Sequence, residues 1–274
     1  MPDAMPDTRT LADSRSAPVC VVTGAATGIG AACAREFARR GWNVVICWFG
    51  DTQATEANAV ANECTGAGAS VLLQPLDVRS DDSCREAARA ALQRFSRIDA
   101  LVNCAGTTRF IPHADLDALD AEEFHRTYDV NVVGMHQMTR ACADALRASA
   151  ADSGSSAVVN ISSIGGVLGR GSSVAYAASK GAVNTMTLAM ARALAPHIRV
   201  NAIAPGFVEG GLPSRVLGEA DHARVVAMQT ESSVLKRVSQ PEEVAALTWF
   251  VATRMPGMTG EVIKMDNGLH LNAG

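Results

Sequence analysis

The chain has 274 residues, 48% of them hydrophobic and 19% charged, enough for one large or two smaller domains with a core that needs no staple. Lysine and arginine total 24 against 28 acids, a net charge of −4, without the basic surplus of a nucleic-acid binder. No apolar run reaches the roughly 18 residues of a membrane span. Seven cysteines (Cys20, Cys33, Cys47, Cys64, Cys84, Cys104 and Cys142) are an odd number, with no C-x-x-C pair. Most sit in apolar stretches and read as small core hydrophobes of a cytoplasmic protein, not as a disulfide framework.

Residues 1–17 form a polar leader lacking the apolar stretch of a signal peptide. Residues 18–23 then read as a buried strand, 24–30 as a glycine turn and 31–40 as a helix ending before Gly41. Strand 43–48, helix 52–65, strand 70–74, helix 81–95 and strand 100–103 follow. Asp120 with Glu123 makes a capping-box-like opening for a long helix to about 149. Strand 157–161, helix 174–195 and strand 198–203 come next, and 205–238 reads as mostly irregular. Pro241 and Glu242 open a last long helix, with proline tolerated in the first turn, before strand 261–265. Seven strands separated by crossover helices predict a single doubly wound α/β domain over 18–274: a parallel sheet with helices on both faces. Its ligand is expected at the carboxyl ends of the strands.

Two motifs carry chemistry. Thr23-Gly24-Ala25-Ala26-Thr27-Gly28-Ile29-Gly30 lies between a strand and a helix, where glycines permit a tight turn and the helix N-terminus offers free N–H groups to a pyrophosphate. Its G-x-x-x-G-x-G spacing, taken alone, also fits a turn without ligand, and it lacks the Lys-Ser/Thr ending of a Walker loop. Tyr176 and Lys180 are four residues apart and share a helical face. An ammonium near a phenol lowers its pKa, although alone such a pair also suits an ordinary surface. Ser162 and Ser163 stand upstream at a strand exit, where hydroxyls can face the cleft.

Thr23–Gly30, Asn103-Cys104-Ala105-Gly106, Asn131, Ser163, Tyr176-x-x-x-Lys180 and Asn201-Ala202-Ile203-Ala204-Pro205-Gly206 occur in the order found in the short-chain dehydrogenases/reductases, which the chain resembles from about 18 to 270. Met258-Thr259-Gly260-Glu261-Val262 with Asp266-Asn267-Gly268 fits as well. The likeness is greatest to 3-oxoacyl-carrier-protein reductases and neighbouring sugar and steroid dehydrogenases. It implies a Rossmann-type fold, an NAD(P)(H) cofactor and a homotetramer. It makes Tyr176 the acid or base at the carbonyl, Lys180 its pKa partner and ribose ligand, Ser163 the substrate-oxygen partner and Asn131 the holder of a relay water. Gly24, Thr27, Gly28, Ile29 and Gly30 would wrap the pyrophosphate, with Cys47 and Trp48 at the second strand's end. Asp77 and Val78 would meet adenine, Asn103, Ala105 and Gly106 the adenosine side, and Pro205, Gly206 and Val208 the nicotinamide, with Tyr176 and Lys180 on its ribose.

Three departures from the family pattern stand out. Cys104 replaces an asparagine at a position that packs inward. Gly210 stands where a threonine hydroxyl is common, opening a flexible Glu209-Gly210-Gly211-Leu212 loop. The second strand ends Cys47-Trp48-Phe49, with neither acid nor base, and Asp51 reads as the cap of the next helix. The missing acid favours NADP over NAD, with Thr27 and Thr52 hydroxyls available to a 2′-phosphate.

The six histidines (His113, His125, His136, His197, His222 and His270) lack metal-ligand spacing, so no metal site is expected. Phe110 and His113 read as a loop tip, and Glu242-Glu243 as helix-start charges. Met138, Ala141, Ala145, Met186, Met190 and Ala193 offer apolar surface for subunit pairing, or else ordinary core. The resulting expectation is hydride exchange between the cofactor and a small carbonyl or alcohol, with a 3-oxoacyl thioester first and a sugar, steroid or polyol second. A regulatory cofactor binder without turnover and a methyltransferase are the alternatives of other classes; neither requires the intact Asn131, Ser163, Tyr176 and Lys180 set.

Overall fold

The computed structural model describes residues 17–210, 212 and 218–272. The expected leader therefore falls almost wholly outside the described residues. Seven parallel strands form one sheet in the order β3-β2-β1-β4-β5-β6-β7. They are β1 Val19–Val22, β2 Asn43–Trp48, β3 Val71–Pro75, β4 Ala100–Asn103, β5 Ser156–Ile161, β6 Ile198–Pro205 and β7 Val262–Met265. The order reverses between β1 and β4, which pair with Val21 beside Leu101, and a doubly wound sheet opens its ligand crevice at such a point.

β1 is an unbroken apolar run because both its faces are covered. Cys20 and Val22 pack into one core layer with α1 (Gly28–Arg39) and α2 (Ala54–Gly66), and Val19 and Val21 into the other with α3 (Asp81–Phe95). Asn201 pins the far edge: its Nδ2 donates to the Met258 carbonyl at 2.9 Å and its Oδ1 accepts from Glu261 N at 3.0 Å.

Helix starts follow their caps. Asp120 accepts from Glu123 N at 2.8 Å and starts α4 (Ala121–Tyr128). A π-helical stretch, Asp129–Gly134, joins α4 to α5 (Met135–Ser153), so the expected single helix carries a local widening at Asn131. Ser173 caps α7 (Val174–Leu194), which follows the short α6 (Gly165–Leu168). Two elements differ from expectation. The stretch read as irregular contains α8 (Glu219–Ser232), which begins at Gly218 without any side-chain cap. Asp51 opens a 3-10 turn, Asp51–Gln53, and caps nothing. The last helix, α9 (Pro241–Arg254), has a capping box made by Gln240 and Glu243.

Met138, Ala145 and Met190 are buried inside a single chain, Ala141 and Met186 pack on the same layer, and Ala193 alone of the six is exposed. All but Ala193 therefore belong to the core of the single chain. No described helix is long and apolar enough to cross a membrane.

Candidate active site

A cleft of about 920 Å³ opens over the carboxyl ends of the strands. Its floor starts at the glycine turn. Gly24 and Gly28 have φ of +64° and +54°, a region that L side chains avoid. A Cβ on Gly24 would lie 2.9 Å from Ala105 Cα, and one on Gly30 would lie 2.2 Å from the Gly24 carbonyl oxygen. Thr23 locks the facing strand by accepting from the amides of Cys104 and Ala105 at 3.0 and 2.9 Å. Thr27 precedes α1 with its hydroxyl uncommitted to any cap, beside the free amides of the first helical turn. Gly24, Thr27, Gly28 and Ile29 line the cleft, whereas Gly30 is buried behind it and acts by permitting the turn.

Trp48, Asp77, Val78, Ala105, Gly106, Pro205, Gly206 and Val208 also line the cleft. Two expected contacts do not. Cys47 is fully buried between the sheet and the α3 layer. Alternate residues of a strand face opposite ways, so Trp48 holds the cleft position assigned to Cys47. Asn103 is 1% exposed and ties β4 inward, donating to Thr139 Oγ1 at 2.9 Å and to Asn160 Oδ1 at 3.0 Å. Thr52 is absent from the lining too, and Gln53 takes that place.

Sequence reading also missed a cation. Arg79 enters the same wall, where its guanidinium lies 5.2 Å from the centre of the Phe49 ring and grips both Asp77 oxygens, one at 2.7 Å. Arg79 holds the Asp77 carboxyl below its ordinary range. The only advance signal was Arg79 following Asp77 at the exit of a strand paired with the Cys47–Trp48 strand.

Val208 bridges Ser239: Ser239 N donates to the Phe207 carbonyl at 3.1 Å, and Glu209 N to the Ser239 carbonyl at 2.9 Å. Parallel pairing of this kind turns Val208's own N–H and C=O away from Ser239, leaving them free for a ligand. Gly206 is required by close approach, since a Cβ there would meet Asp266 Cα at 2.9 Å. Gly210, at φ +73°, follows in the left-handed region; Gly211 of the expected flexible loop lies outside the described residues. Phe110 lines the cleft and His113 does not, so only the histidine fits the expected loop tip.

Ser163, Tyr176 and Lys180 converge in this cleft. Ser163 Oγ accepts from Gly165 N at 3.0 Å, which leaves its proton available. Ser162, by contrast, is spent on Asn184 Oδ1 at 2.6 Å. Burial pushes the Tyr176 phenol above its ordinary pKa, and a hydrogen bond with Ser163 opposes the rise. This reverses the direction expected from Lys180, whose Nζ lies 5.7 Å from the phenol ring centre and donates to the Ile161 carbonyl at 2.8 Å. Desolvation brings the Lys180 ammonium itself down to about 8.

Asn131 stands behind them, fully buried at the π-helical stretch. Its Oδ1 accepts from Thr107 N at 2.8 Å, and its Nδ2 donates to the Thr107 carbonyl and to Ser179 Oγ, both at 3.0 Å. With the amide so committed, a water held by Asn131 would have to use its main-chain carbonyl.

A glycine cradle, a free helix N-terminus and an unpaired Val208 amide on one side of a Ser/Tyr/Lys group suit a pyrophosphate-bearing nicotinamide nucleotide. The comparisons with known proteins agree. The family model described as enoyl-(acyl carrier protein) reductase matches residues 24–270. The chain is a short-chain dehydrogenase/reductase. A solved structure assigned to these enzymes, from Burkholderia xenovorans, is 52% identical with a TM-score of 0.87, over 93% of this chain and 99% of that one. A protein assigned as a ketoacyl reductase of granaticin polyketide synthase, from Streptomyces violaceoruber, is 35% identical over 94% of this chain and 98% of its own length. The cis-4-hydroxycyclohexanecarboxylate dehydrogenase of Sinomonas cyclohexanicum is 37% identical over 91% of this chain and 95% of its own length. This short-chain dehydrogenase/reductase is therefore an NAD(P)-dependent oxidoreductase acting on a carbonyl or CH–OH group of a small molecule.

The Ser163 hydrogen bond yields a signed expectation. Removing it in Ser163→Ala lets the Tyr176 pKa rise further. In alcohol oxidation the phenol must first lose its proton, so the alkaline rise of activity is expected at higher pH than in wild type. A pH profile of kcat/KM checks this; an unmoved midpoint would separate Ser163 from the ionisation of Tyr176.

Proposed function

We propose that the protein reduces a 3-oxoacyl thioester to the 3-hydroxy compound, with Tyr176 as general acid and NADP(H) as the preferred cofactor. The observation that carries the reading is the convergence of Ser163, Tyr176 and Lys180 on one cleft wall beside the glycine cradle. A nicotinamide held in the cleft would supply the hydride. Tyr176 gives its proton to the carbonyl oxygen, which Ser163 steadies by donating its own hydroxyl hydrogen. Lys180 holds ribose hydroxyls and restores the proton with water held near Asn131. The ketoacyl assignment of the Streptomyces relative supports the thioester. The cyclohexanecarboxylate relative supports the second reading, a cyclic secondary alcohol. A panel of ketones and alcohols run with both nicotinamide cofactors tests the reading: steady turnover of 3-oxoacyl thioesters is expected, and none with any member would refute it.

The NADP preference follows from the wall at the end of β2. Trp48, not an acid, faces the cleft, and Asp77 beside it is neutralised by Arg79, so the wall presents a matched ion pair and no unpaired carboxylate to repel a phosphate. Wild type is expected to have the higher kcat/KM with NADPH and measurable activity with NADH. Trp48→Asp should move the ratio toward NADH, whereas Cys47→Asp would bury a charge in the core and destabilise the fold. A wild-type enzyme at least about tenfold better with NADH would overturn the assignment.

We propose further that the chain works in the reducing cytoplasm as a homotetramer built on two-fold axes. The free cysteines among the described residues support the compartment. Val133 and Leu188, 45% and 42% exposed, give apolar contact to the two long helical stretches that family members pair. Light scattering should return a multiple of 28.6 kDa, and a monomer at micromolar concentration would refute the assembly.

A further inference from the structure

We infer that Arg170 selects substrates carrying an anionic group, a carboxylate or phosphate ester, remote from the carbonyl held at Ser163 and Tyr176. The inference rests on the carbonyl-reduction reading above. Arg170 lines the cleft, is exposed, and makes no ion pair or side-chain hydrogen bond among the described residues. Its backbone is held between the two groups that face the substrate carbonyl. On one side its carbonyl lies so close to Gly165 that a Cβ there would come within 2.4 Å, and Gly165 N donates to Ser163 Oγ. On the other side Gly171, at φ +131°, lies against the Tyr176 ring, where a Cβ would be 3.3 Å from Cδ1. Ser172 completes the clamp: its hydroxyl bonds Thr108, and its carbonyl accepts from Ile111 N at 2.7 Å. A side chain rooted there springs from backbone fixed beside the reacting atoms.

Charge elsewhere in the cleft is already engaged. Arg79 is matched by Asp77, and Arg126 by Glu123, with two contacts of 2.6 and 2.9 Å. Lys180 donates to the Ile161 carbonyl, and Glu209 accepts from Gln240 at 2.7 Å. Apart from Lys180, which is buried at the reacting centre, Arg170 is thus the unmatched cation of the cleft wall among the described residues. Phe110, Val225 and Met228 line the same cleft and give an apolar surface for the body of the ligand. A planar guanidinium takes a carboxylate or phosphate through paired N–H donors, and an apolar ligand body with one anionic end matches that combination.

The test compares matched pairs: 4-oxocyclohexanecarboxylate against its methyl ester, and 3-oxobutanoyl pantetheine 4′-phosphate against the uncharged N-acetylcysteamine thioester. Wild type should favour the anionic member of at least one pair, and which pair does so separates a carboxylate from a phosphate source. Arg170→Gln should lower that preference about tenfold or more, through KM, with the neutral member and the melting temperature unchanged. Arg170→Glu should lower it further. A preference unchanged within about twofold in Arg170→Gln, or no preference in wild type, overturns the inference while leaving carbonyl reduction intact. Should neither member of either pair be turned over, the reduction reading itself fails. Calorimetric binding of the carboxylate and the pantetheine phosphate then decides: binding by wild type but not by Arg170→Gln sustains the role of Arg170, and equal binding overturns it.

Discussion

Tyr176→Phe is expected to lower turnover by at least about 100-fold, the scale of a general acid–base group, while cofactor affinity stays near that of wild type. Phenylalanine keeps the ring against Gly171 and removes only the hydroxyl that Ser163 bonds. The glycine cradle and Val208 lie on other elements and are untouched. Lys180→Ala supplies the contrast. Its ammonium is buried, donates to the Ile161 carbonyl and shares the cleft with the phenol, so its loss should damage both turnover and cofactor binding. Steady-state rates together with a fluorescence titration of NADPH separate the two variants. A Tyr176→Phe enzyme retaining more than about a tenth of wild-type activity would assign the proton to another group.

Much of this arrangement was legible because the carriers are local. The apolar run of β1, the glycine turn after it and the four-residue interval of Tyr176 and Lys180 each have a period or spacing that short-range geometry imposes. What the sequence hid is the direction in which residues face. Cys47 and Trp48 are adjacent, and only the placement of β2 between β1 and β3 decides which meets the core. Asn103 has the same ambiguity at the end of β4, where it turns inward to Thr139 and Asn160. Arg79 reaches Phe49 because β2 and β3 pair in parallel, joining residues far apart in the chain. α8 was missed because its start has no side-chain cap and Met228, 55% exposed, lines the cleft instead of a core. The methionines of α5 and α7 looked like spare apolar surface, but the second core layer consumes them.

Gly30→Ala is expected to weaken NADPH binding at least about tenfold and to lower thermal stability, although Gly30 does not itself line the cleft. The added methyl would lie 2.2 Å from the Gly24 carbonyl oxygen and 2.8 Å from its carbon, both backbone atoms with no rotamer to yield. Gly24 has little room to retreat. A Cβ there would stand 2.9 Å from Ala105 Cα, and Thr23 beside it is held by the Cys104 and Ala105 amides. The strain must therefore pass into the turn, shifting Thr27 and the free amides at the start of α1 that would cradle the pyrophosphate. Overpacking of this kind costs about 1–3 kcal/mol, and each kcal/mol corresponds to roughly 2–4 °C in a chain of this size. Gly66→Ala is the control: its Cβ meets nothing within 4 Å, it ends α2 and it should leave both quantities near wild type. Thermal melts and NADPH titrations of the two variants check the expectation. Should Gly30→Ala bind NADPH as wild type does while melting lower, the turn would be a packing device alone, and the cofactor phosphates would have to be held elsewhere.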